Sequence, residues 1–150
     1  MGLDQFLKGK MYVSQYTDKE LHTKLNALTT EMGFNLPANE IIFEAAYWRK
    51  ANHIHKWFVE HVQDSVDDCK EYYVSTDTLE ELVTICEDVL KDHSRAQELL
   101  PTESGFFFGS TDYDEYYYAD IQDTIKMIKP LIDSKNKKMQ EISFYYHSSW

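Results

Sequence analysis

Trp48, Asn52 and His55 follow one another at i, i+4 and i+7, with Arg49 and Lys56 on the adjoining side. On a helix the first three would share one face and the last two the adjoining one, because residues three, four and seven apart stack above one another. Arg49 has the planar fork for bidentate phosphate contact, and Lys56 adds a point charge. Asn52 offers the donor–acceptor pair that recognises an adenine edge or an amide, and His55 could orient a ligand or act as a base. A second chemistry-bearing stretch is Ser104-Gly-Phe-Phe-Phe-Gly-Ser-Thr-Asp-Tyr113. Gly105 and Gly109 let the backbone take unusual angles and approach other groups closely. Ser110 and Thr111 follow, able to cap a helix whose free amides form an anion site. Phe106, Phe107, Phe108 and Tyr113 beside such a site suit a base stacked above phosphates.

Each feature has a plainer reading. Asn52 and His55 can hydrogen-bond core backbone, and Arg49 can pair with a carboxylate. The phenylalanine triplet can be a hydrophobic hairpin whose glycines serve only its turns. No phosphate-binding loop or dinucleotide fingerprint is present. Asp112, Asp114 and Glu115 are helix-capping acids first and acid–base candidates second. His53 and His55 point to nearly opposite sides of a helix and cannot chelate one ion there. No metal site or cofactor is expected. Gly-x-Ser-x-Gly is absent, which excludes a hydrolase elbow.

The element predicted to position the first set is one helix over Asn39–Gln63. At 100° per residue its apolar side chains fill roughly 200° of arc, far more than a surface helix shows. A buried helix follows, and polar groups inside its arc need partners, since an unmet one costs about 1–3 kcal/mol. Upstream, Gln5–Tyr16 reads as a strand with Gly9 permitting a bulge. Thr17-Asp-Lys-Glu20 is a capping box opening a helix with a Leu21, Leu25, Leu28, Met32 stripe, closed by Gly33. Downstream come a short strand at Lys70–Val74, a helix from Ser75 or Thr76 to about Leu100, a helix from about Asp112 kinked or ended at Pro130, and a strand at Glu141–His147. About three strands and four helices predict a single compact α+β domain over residues 1–150, with a small, mostly antiparallel sheet. Trp48, Ile54, Phe58, Leu82, Cys86, Ile121, Ile125 and Ile128 are expected in one core.

Composition narrows the functional classes. The 150 residues carry a net charge of −11, with 26 acids against 15 bases. Residues 1–50 hold equal numbers of each, so the excess lies beyond residue 50. A nucleic-acid polymer partner is disfavoured without a basic face. The acidic 60–98 region could mimic nucleic acid or bind another protein. Two cysteines, Cys69 and Cys86, without paired spacing point to free thiols in a reducing compartment. There is no signal-peptide pattern and no apolar run near the roughly 18 residues of a membrane span. A cytoplasmic protein, without membrane partner and open to homo-oligomerisation, is expected.

"YWRKANHIHKWF" at 47–58, "DDCKEYYVS" at 67–75, "SGFFFGSTDYDEYYY" at 104–118, the opening "MGLD" and the closing "SSW" together resemble a family of small uncharacterised bacteriophage and prophage proteins, over nearly the whole chain. The resemblance brings no established activity and no catalytic residues. It implies a compact viral protein acting in the host bacterial cytoplasm, where such accessory proteins often inhibit defence, some by capturing nucleotide signals. The sequence reading is therefore a non-catalytic protein that sequesters a small anionic, nucleotide-like ligand. The alternatives are an enzyme acting on such a ligand, with His55 as base and Asp112 orienting it, or an acidic inhibitor of a host factor.

Overall fold

The computed structural model describes residues 2–150. Strand β1 (Asp4–Tyr12) alternates buried and half-buried residues along most of its length, the signature of a strand with one covered face. It lies second in a four-stranded antiparallel sheet. One neighbour is β2 (Glu40–Arg49) and the other is β4 (Ser143–Ser149), which pairs in turn with β3 (Tyr72–Val74). The order is therefore β2-β1-β4-β3, with β2 and β3 as edges. Helices α1 (Lys19–Glu31), α2 (Asn52–Val62), α3 (Thr76–Lys91), α4 (Ala96–Leu99) and α5 (Glu115–Ile128) complete a single α+β domain.

The predicted helix over Asn39–Gln63 is two elements. Its first half is β2, its second half is α2, and Lys50 turns the chain between them at φ 58°. A bulge explains why the strand mimics a helix. Met11, Gly9, Leu7 and Gln5 of β1 face Ile41, Phe43, Ala46 and Trp48, so the covered side of β2 advances by two, three and two. The extra residue, Ala45, stretches Ile41 to Trp48 into a seven-residue spacing that a helix would also give. The wide apolar arc is thus the sum of two elements, a largely buried α2 and a strand in which Ala46 and Trp48 are the buried residues. Gly9 itself is not the bulge. A Cβ there would stand 2.7 Å from the Ile142 side chain and 3.4 Å from the Phe144 ring, so β1 is thinned to admit them.

Other boundaries shift for local reasons. The expected capping box at Thr17 does not form: Asp18 is the cap residue of α1 without bonding the helix amides, and its carboxylate instead accepts from Ser14 N. Gly33 does close the helix at φ 84°. Ser75 caps α3 by accepting from Thr78 N at 3.2 Å. That helix stops at Lys91 rather than near Leu100, because Asp92 starts a 3-10 turn at His93–Arg95. Pro130 lies in the 3-10 turn Lys129–Ile132 that follows α5.

Core residues from the sheet, α2, α3 and α5 form one cluster. Trp48, Ile54, Phe58, Leu82, Cys86, Ile121 and Ile128 are buried in it, with Ile125 packed at its margin. Trp48 ties the layers together: its indole N–H donates to Thr124 Oγ1 of α5 at 2.8 Å. Among the described residues no helix is long and apolar enough to cross a membrane.

Candidate functional site

Asn52 opens α2 and is almost wholly buried. Its amide donates to Phe108 O at 3.1 Å and Ser110 O at 2.9 Å, and its Oδ1 accepts from Glu103 N at 2.9 Å. One side chain thus pins both flanks of the glycine-bracketed loop to the start of α2. The glycines are steric necessities. A Cβ on Gly105 would sit 2.5 Å from the Phe108 ring, and one on Gly109 (φ 91°) would press on Lys50 Cβ at 3.1 Å and Lys50 O at 3.2 Å. Phe108 turns inward, edge-on to His55 with centroids 5.4 Å apart. Phe106 and Phe107 form the exposed tip, Phe107 at φ 60°. This loop therefore meets residues 47–58, and it does so through packing and hydrogen bonding.

The remaining sequence-predicted site residues divide by location. Trp48 is core. His55 is fully buried, its Nδ1 2.7 Å from Tyr146 OH and its Nε2 2.8 Å from Asp67, whose other oxygen accepts from the Trp150 indole. Asn52 and His55 therefore have their partners within the fold. Lys56 pairs with Glu60 and Glu103. It borders a concavity of about 300 Å³ together with His53, Trp57, His61 and Leu100, away from Arg49. Thr111 accepts through its backbone from Thr102, and Tyr113 OH accepts from Thr102 N at 3.2 Å. Ser110 and Thr111 do not cap a helix. Asp114 caps α5 instead, its Oδ1 accepting from Tyr116 N and Tyr117 N at 3.1 Å each, which uses the amides of the expected anion site.

Arg49, Gly109 and Ser110 do converge, in a cleft of about 290 Å³ between the β2–α2 corner and the first half of α5. Its lining also includes Lys50 and His53 from the corner, Asp112 and Asp114 from the segment before α5, and Tyr116, Tyr117 and Asp120 from α5 itself. Arg49 reaches Asp4 at 3.3 Å yet keeps just over half its side chain in solvent. His53 is 3% exposed, packs against the Tyr117 ring with centroids 4.3 Å apart and the planes tilted by 36°, and its Nε2 is buried without a hydrogen-bond partner. Burial pushes its pKa down to about 3, so it is neutral near pH 7. Asp120 is half-buried, and burial, with Asp123 and Asp114 nearby, pushes its carboxyl up to about 6. Burial and neighbouring Tyr113 and Tyr118 also raise Tyr117, whose hydroxyl donates to Leu100 O at 2.7 Å.

Lys50, His53 and Asp120 were not among the expected site residues. A continuous helix set His53 opposite His55 and gave Lys50 no special place. The exchange to a left-handed corner at Lys50 is what brings both to the cleft. Among the described residues, no group of three or more His, Cys, Asp or Glu is placed to hold a metal ion. Compared with protein-family models, curated proteins and solved structures, the chain matches none of them.

Proposed function

We propose that the protein sequesters a small anionic, nucleotide-like molecule in the cleft between Arg49 and Asp120, as a phage accessory factor acting in a host cell. The carrying observation is one small cleft lined by two bases and three acids, with His53, whose buried Nε2 has no hydrogen-bond partner, among its lining residues. Arg49 and Lys50 suit a phosphate, Arg as a fork and Lys as a point charge. A simple polyanion would be repelled by Asp112, Asp114 and Asp120, whereas sugar hydroxyls or a base amine would donate to them. Tyr116, 72% exposed, offers a ring for stacking. The volume stands at the small end of ligand pockets, about 300 Å³, and suits one nucleotide rather than two.

Native mass spectrometry of protein purified from bacterial cells, followed by calorimetric titration of nucleotides, tests this reading. Arg49→Ala is expected to weaken binding by about 1.5–3 kcal/mol, a factor of about 10 to 150. Its melting point is expected to change little, since an exposed ion pair contributes about 0–1 kcal/mol. A variant that melts early but binds every tested nucleotide like the parent would falsify the assignment. A second reading has its own support: Asp120, its carboxyl pushed up to about 6, and neutral His53 line the same cleft, which suits acid–base work on the bound molecule. Recovering the ligand after denaturation separates the two, intact for capture and cleaved for catalysis.

A further inference from the structure

Ser14 to Asn39 forms an arm whose helix, α1, has no buried residue. Thirteen residues are marginal for a helix in water without tertiary packing, which normally requires an amphipathic face against something. Apart from Asp18, which pairs with Lys138 at 3.2 Å, the arm's polar groups largely close on themselves. Asn26 clasps Ala38 through both its N–H and its carbonyl, Thr29 Oγ1 donates to Leu36 O, and Phe34 N donates to Thr29 O. Its shape is therefore set while its apolar side chains stay open: Tyr16, Leu28, Met32, Phe34 and Leu36 are 52–77% exposed. The adjoining strand β2 is a sheet edge, with Ile42 58% exposed.

We infer that this arm and the β2 edge are the interface through which two copies of the chain associate. Three observations choose a second copy over other occupants. Nine large apolar side chains from Tyr12 to Tyr47 are 38–77% exposed, where a standard interface buries about 800 Å² per partner. The charge pattern is compatible: residues 14–49, the arm and β2, hold five acids and three bases, a net −2, whereas 51–150 hold twenty acids and nine bases, a net −11. Two copies meeting through the arm bring together the weakly charged part of each chain. An anionic membrane has no basic stripe to grip here, because Lys19 and Lys24 are matched by Glu20 and Glu31. Finally, each copy supplies both halves of the contact, an apolar arm and an open strand edge, so a two-fold axis satisfies both at once.

Sedimentation velocity from about 1 to 100 μM tests the interface, with a dimer of twice 17.8 kDa expected. Leu28→Lys/Met32→Lys and, separately, Ile42→Lys should each weaken the dimer about 30-fold or more. All three positions are exposed, so circular dichroism and melting should stay those of the parent, which keeps loss of association distinct from loss of fold. Tyr73→Lys, on the opposite edge strand, should leave the dimer unchanged. A parent that is monomeric near 100 μM overturns the inference, whether or not the arm then binds neutral vesicles. So does a dimer that survives the arm variants and breaks with Tyr73→Lys.

Discussion

His53 and Asp120 face one cleft with pKa values displaced in opposite senses, so they give opposite pH dependences of stability. For His53 the folded pKa, about 3, lies below the ordinary value of 6.5. Its contribution is whole above pH 6.5 and is lost as the pH falls towards 3, amounting to about 2 kcal/mol by pH 5. Asp120 is raised to about 6 from 3.8, so its contribution is full below pH 3.8 and lost as the pH rises through 6. Its partial exposure limits that to about 1 kcal/mol or less. Urea denaturation at pH 5 and pH 7 is expected to show His53→Gln losing less stability on acidification than the parent, and Asp120→Asn losing more. Equal losses in all three proteins would mean that neither group is desolvated in the cleft. At this scale the sequence marks out Asn52 and His55 correctly as side chains that need partners. Side-chain type states hydrogen-bonding capacity but not who meets it, and both are met by the fold, through the Phe108–Ser110 loop and through Tyr146 and Asp67.

The corner between β2 and α2 shows what a single element boundary controls. Lys50 holds φ 58°, a left-handed angle that costs an ordinary residue about 1–2 kcal/mol and glycine almost nothing. Lys50→Gly is therefore expected to raise stability by about 0.5–1 kcal/mol in thermal melts while weakening phosphate-bearing ligands in calorimetry. A stability gain with unchanged affinity would remove Lys50 from the site and leave the strain without a ligand-binding purpose. The corner was illegible because no glycine, proline or asparagine marks it and because the Ala45 bulge puts helical spacing into a strand. Ile41, Ile42, Phe43, Tyr47 and Trp48 are β-branched or aromatic and carried the contrary hint. For α1, periodicity and Gly33 are legible, but its stripe looks the same whether the chain itself or another body covers it. The loop at 104–110 was legible as a place where backbone and rings crowd together, and both bracketing glycines have that reason.

Over the whole molecule, the α+β class could be read from strands at the two ends and the middle with helices between. The fourth strand stayed hidden inside the misread helix. Trp48 and the rest of the anticipated core were legible despite that error, since a residue can be buried equally well from a strand or a helix. The charge distribution acts at this same scale and bears on how a ligand arrives. An anion approaching the cleft meets the summed field of a chain at −11 before it meets Arg49 and Lys50. That field is long-ranged at low salt and confined within about 10 Å at 0.1 M. Arg49 and Lys50 act at contact, where salt has less effect. Raising salt from about 10 to 150 mM should therefore speed association of a phosphate-bearing ligand by about threefold, the reverse of ordinary steering to a basic site. The matching nucleoside, without phosphate, should show no change. Stopped-flow titration following tryptophan emission measures both rates. An association rate that falls steeply with salt would show that Arg49 and Lys50 dominate the approach, and the acidic surface would then have no part in ligand capture.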